Sequence, residues 1–107
     1  MPKYYILPFA SSGTKAAVPD ATQIDGTVSY TDGYGADYSL PLDSDPAALA
    51  PERDKWNQLW YDITLNVQQY QQHGFPEFIT TSDNGGSPYA YAQGSCCRNG
   101  GVNYISI

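Results

Sequence analysis

The side chains able to do chemistry are few and scattered. His73 is the one histidine, so any Ser–His–Asp or Cys–His nucleophile would have to use it. It falls at the end of a helix-patterned stretch, where a cation complements the helix dipole, and that role outweighs a catalytic one. Cys96 and Cys97 are adjacent, whereas zinc sites space their cysteines by about two to four residues. Neighbouring cysteines bond to each other only through a strained ring, so the pair gives no sign of an oxidising compartment. Both read as small strand residues.

Asp32, Asp37, Asp43 and Asp45 invite a calcium reading. A calcium loop needs alternating ligands and a closing glutamate, and the next glutamate is Glu52. Turn and cap duties explain these acids better. Asp83-Asn84-Gly85-Gly86 is a turn first. No phosphate loop or dinucleotide fingerprint is present, and no carboxylate pair stands out for acid–base work. The expectation is a non-enzyme with no cofactor and no metal. The aromatic set Trp56, Trp60, Tyr61, Tyr34, Tyr38, Tyr89 and Tyr91 would suit a sugar platform. For the tryptophans a core position weighs more, and for the loop tyrosines a protein interface weighs at least as much.

One stretch must position most of these groups. Pro51 to Gln72, followed by His73-Gly74, is the long helix, spanning about 51–73. Trp56, Trp60, Ile63, Val67 and Tyr70 recur at four-three spacing, which is one apolar seam, and Leu59 widens it. Tyr61 and Leu65 make a second, narrower stripe. Two stripes predict packing on the chain's own domain and on something else. Pro51 suits the first helical position, Glu52 the first turn, and Gly74 a left-handed C-cap, with Pro76 blocking continuation. The seam is too short for an autonomous coiled coil and long enough to pair with copies of itself.

The remainder is turn-rich. Tyr4 to Ala10 reads as extended, an edge strand ended by Pro8. Thr27–Tyr30 follows the Asp25-Gly26 turn as a short strand, and residues 31–38 form a loop presenting aromatics. Asp45 caps a single helical turn through Leu49. Glu77–Thr80 is a further strand. Asn99-Gly100-Gly101 signals a hairpin within 95–107, a strand pair cut short at the C-terminus.

A chain of 107 residues fits one domain, 1–107, of α+β class with long Gly/Pro/Tyr-rich loops. Eleven acids against five bases give a net charge of −6. That balance disfavours nucleic acid and anionic membranes as partners. The apolar run at the start is broken by Pro8, so neither a signal peptide nor a membrane span is read there.

Taken in order, ILPFASSG, then DATQIDGTVSYTDGYGADYSLPLDSDPAALAPERDKWNQLWYDITLNVQQYQQHG, then DNGGSPYAYAQGS, resemble the N-terminal region of tail-fibre proteins of tailed bacteriophages and prophages. The resemblance covers almost the whole chain. It implies a structural virion component, made in the host cytoplasm, that anchors a fibre to the tail tip or baseplate and contributes to host adsorption. It also implies a trimer. On that reading residues 1–13 dock on a tail protein through Tyr4, Tyr5, Ile6, Leu7 and Phe9, while Trp56, Leu59, Trp60, Ile63, Val67 and Tyr70 join subunits. A distal fibre protein is a further implied partner. Chains of that family commonly continue past the position of Asn99–Ile107, which leaves a short fibre, an adaptor or the start of something longer. The Cys96-Cys97 pair departs from the family pattern. The competing reading is a carbohydrate-binding module using loop tyrosines on a host surface glycan; a depolymerase-like hydrolase has less support in so short a chain.

Overall fold

The computed structural model describes residues 2–107; Met1, the first residue of the expected docking stretch, lies outside them. The chain is a small α+β protein. Helix α1 spans Arg53–His73, and an antiparallel pair joins β1 (Cys96–Asn99) to β2 (Val102–Ile105). A short 3-10 turn covers Ala36–Ser39. Two compact units share the chain: Ile6–Leu65, and the segment ending at Tyr5 together with Asn66–Ile107.

Helix α1 begins at Arg53, not Pro51. Glu52 accepts the first intrahelical bond on its carbonyl, from the Trp56 N–H at 3.0 Å, so it is the cap residue and Asp54 is the acid of the first turn. At the other end Gly74 has φ +77° and donates to the Tyr70 carbonyl at 2.9 Å. That is the left-handed stop glycine tolerates best.

The hairpin obeys its turn chemistry. Gly100 and Gly101 both have positive φ, +58° and +80°, as a two-residue type I′ connection requires. Register follows: Asn99 faces Val102, Arg98 faces Asn103, Cys97 faces Tyr104 and Cys96 faces Ile105. On the outer edge of β1, Arg98 donates to the Pro76 carbonyl at 2.8 Å and accepts from Phe78 N–H at 2.7 Å.

The other expected strands do not form. Glu77 makes one isolated parallel bridge to Arg98, and Ser29 makes one to Gly33. Among the described residues Thr27–Tyr30 has no neighbouring strand to ladder against; its Val28 N–H is taken by the Tyr38 hydroxyl at 3.0 Å. Asp45 does cap, accepting from Ala47 N–H at 2.9 Å, but the turn stops before a helix forms. Tyr4 to Ala10 is not a strand either.

Burial is sparse. Among the described residues the buried apolar side chains are Val18, Val28 and Cys97. In the Ile6–Leu65 unit, Tyr38 ties the loops to the helix entry: its hydroxyl donates to the Glu52 carboxylate at 2.9 Å while accepting from Val28. Both tyrosines of this region have phenols held above their usual range, first by burial; for Tyr38 the Glu52 hydrogen bond adds to it, and for Tyr34 the nearby charge of Glu52.

Candidate functional site

Two parallel rows of side chains, one residue out of step, decide what α1 does. The first row is Trp56, Trp60, Ile63, Val67 and Tyr70. Their exposures are 48, 44, 54, 38 and 51 %, so the row faces away from the chain; Leu59 beside it is half-buried. The expectation that the tryptophans form core is therefore overturned. Each indole keeps about half of its surface exposed, and the ring contacts at this end are edge to face, Tyr34 to Trp56 at 5.8 Å and Trp56 to Trp60 at 6.4 Å.

The second row, Asn57, Tyr61, Thr64, Gln68 and Gln71, repeats the same spacing one residue later, about 100° round the helix. This row faces the chain, and it is mostly polar. Thr64 and Gln68 are each only 8 % exposed. In the Ile6–Leu65 unit, Asn57, Tyr61 and Thr64 hold residues 9–15; in the other unit, Gln68 and Gln71 hold residues 3–5. Asn57 donates to the Thr14 carbonyl at 3.1 Å. The Tyr61 ring lies under the Lys15 ammonium, 4.6 Å from its centroid. Thr64 accepts the Phe9 N–H at 2.7 Å. Gln68 donates to the Tyr5 carbonyl at 2.8 Å. Gln71 accepts the Tyr5 N–H at 3.0 Å and donates to the Lys3 carbonyl at 2.7 Å. A glutamine amide carries both a donor and an acceptor, so Gln71 serves this segment as a neighbouring strand would. This is why Tyr4–Ala10 is orderly without being a strand.

The segment leaves its side chains outside. Tyr4, Ile6, Leu7 and Phe9 are exposed and Tyr5 is half-buried. Behind it, Lys15 donates to the carbonyls of Ala10, Ser11 and Gly13, which fastens a turn in which Ala10 sits at φ +53°.

The loop tyrosines pair within each unit. Tyr34 and Tyr38 are half-buried and meet edge to face at 4.7 Å. Tyr91 stacks on Phe78 at 5.9 Å, meets Tyr89 edge-on, and accepts the Ile79 N–H at 2.7 Å. Asp32 and Asp37 line a shallow polar cleft of about 380 Å³ with Thr22, Gln23 and Thr27. An apolar recess of about 350 Å³ lies between Pro51, Arg53 and Trp56, at the N-terminal end of the exposed row. His73 sits exposed in the last turn of α1, and Cys96 and Cys97 are free thiols. Among the described residues no three His, Cys, Asp or Glu side chains stand close enough to hold a metal ion, and no helix is long and apolar enough to cross a membrane.

The apolar row was readable from its period. Of its partner row only Tyr61 was read, with Leu65, as a second stripe; Thr64, Gln68 and Gln71 were not read as contacts. The available signal was an uncharged amide and hydroxyl row at the same spacing, beside an apolar one. No family model matches the chain. No curated protein matches it either.

Proposed function

We propose that this chain is a structural component of a phage virion: a tail-fibre attachment or adaptor domain that acts by association, not catalysis. The observation that carries the reading is the orientation of α1. Its apolar row faces solvent while its polar row holds the chain's own N-terminal segment. A contiguous row of half-exposed tryptophan, tyrosine and branched aliphatic side chains amounts to several hundred Å² of apolar surface, the size that marks an interaction site. No acidic or basic side chain interrupts Trp56, Leu59, Trp60, Ile63, Val67 and Tyr70. Copies of a chain with net charge −6 can therefore meet along this face without opposing charges at the contact. We assign the row as the subunit interface of a homotrimer, as the fibre resemblance implies.

The exposed Ile6, Leu7 and Phe9, with Tyr4 and Tyr5, are assigned to docking on a tail-tip or baseplate protein. Several backbone groups there are already used by Thr64, Gln68 and Gln71, so docking proceeds through side-chain burial more than by added backbone pairing. The glycan-binding reading draws less support, because the loop tyrosines pack on one another, Tyr34 on Tyr38 and Tyr89 on Tyr91, and the Tyr38 and Tyr91 hydroxyls are taken within the chain.

The test has two arms. The mass of the chain in solution, measured by light scattering, is expected to be that of an oligomer and to fall, to no more than a dimer, in Trp60→Gln. Particles assembled with Ile6→Ser/Leu7→Ser chains are expected to lack the protein. A monodisperse native protomer, or full incorporation of the double variant, would overturn the corresponding assignment.

A further inference from the structure

We infer that β2 is a strand-addition site for a second copy of this chain, paired antiparallel and two-fold symmetric about Tyr104. The inference rests on neither the tail reading nor the helix row.

Hydrogen-bond parity sets it up. In an antiparallel pair, facing residues alternate between those that bond each other and those whose N–H and C=O point outward. Arg98 bonds outward, to Pro76 and Phe78, so its partner Asn103 also points its backbone groups outward, on the opposite edge. The same alternation makes Cys96 and Ile105 an outward pair. The next step agrees, because Ser106 N–H bonds back to the Ser95 carbonyl at 2.9 Å. The β1 edge is thus closed by 76–78. On the β2 edge, no described residue bonds the outward N–H and C=O of Asn103 and Ile105.

Open edges of this kind recruit other strands, and proteins normally blunt them with lysine, proline, a bulge or a cover. Here Val102–Ile107 contains no charge and no proline, and all of Val102–Ile105 is exposed. The occupant follows from symmetry. A copy of β2 turned about a two-fold axis through Tyr104 sets Asn103 against the other copy's Ile105, and Ile105 against its Asn103. Both are then bonded pairs, and every outward donor and acceptor is satisfied at once. The two Tyr104 side chains face each other across the close, unbonded pair, where aromatic pairing adds stability. No like charges oppose each other at this seam, although each copy carries −6. The strand is its own complement, as a two-fold contact requires.

Asn103→Pro removes one outward N–H and no bond inside the hairpin, and edge strands accept proline where the N–H faces outward. In a Trp60→Gln background, which silences the helix row, sedimentation equilibrium is expected to show a dimer whose dissociation constant rises on the order of thirtyfold with Asn103→Pro, from two lost bonds. The Cys96–Ile105 Hα contact in NMR spectra reports that the hairpin survives. In a Cys96→Ser/Cys97→Ala background, Tyr104→Cys is expected to form an intermolecular disulfide with oxidised glutathione, while Val102→Cys, opposite Ser106 of the other copy, is not. A dissociation constant unmoved by Asn103→Pro with the hairpin intact, or equal cross-linking at positions 102 and 104, would overturn the inference.

Discussion

Tyr38 and Tyr34 lie side by side and are expected to answer the same substitution in opposite ways. Tyr38 accepts from the buried Val28 and donates to Glu52. Tyr38→Phe strands a buried N–H and is expected to cost about 1–3 kcal/mol in urea unfolding. Tyr34 has a buried hydroxyl with no partner among the described residues, so Tyr34→Phe is expected to be neutral or stabilising. The pH dependence carries the same signature. Because the Tyr38 phenol is raised above its ordinary value of 10.0, its contribution is complete below pH 10 and is lost as pH climbs through the folded value. At the acid end, Asp25 is lowered from 3.8 by the Thr27 hydroxyl and N–H, and Asp83 by the Thr80 N–H and hydroxyl. Their contributions are present above that value and fade as pH falls below it. An unfolding series at fixed temperature is expected to show an alkaline step that Tyr38→Phe reduces and that Tyr34→Phe/Tyr38→Phe removes.

At the scale of elements, side-chain amides replace a backbone ladder. Gln71→Ala removes both bonds to the N-terminal segment. It is expected to speed hydrogen exchange at the Tyr5 amide by about tenfold or more while leaving α1 amides unchanged, since one to two bonds at about 1 kcal/mol each are lost. This device also marks how far the sequence could be read. The hairpin was legible because its information is local: Asn99-Gly100-Gly101 demands one turn and one register. The helix was legible from period and from Gly74, with its start displaced because Glu52 serves as cap while its carboxylate goes to Tyr38. Which face looks inward was not legible. Period locates a stripe, but only contacts between residues 3–15 and 57–71, far apart in sequence, turn the polar stripe inward. Thr27–Tyr30 and Glu77–Thr80 failed as strands for a related reason: β propensity needs a neighbour, and each segment finds one bridge.

For the molecule as a whole, the sparse interior would make the proposed association part of stability. With Val18, Val28 and Cys97 as the buried apolar side chains, the midpoint of thermal unfolding is expected to rise with protein concentration, and that rise is expected to shrink in Trp60→Gln and to shrink further in Trp60→Gln/Asn103→Pro. Trp60→Gln is expected to cost the protomer itself about 1–2 kcal/mol, because the side chain is only 44 % exposed and so partly covered by its own chain. Both tryptophans of this protein stand on that outward row. Each indole keeps about half of its surface exposed, so its emission is expected to answer both the proposed association and unfolding. Dilution should shift the emission to longer wavelength while the protomer stays folded. Urea acting on a dissociated protomer should then shift it further. A fluorescence titration of the unlabelled protein should therefore show two steps, and an unfolding curve taken at high concentration would merge dissociation with unfolding.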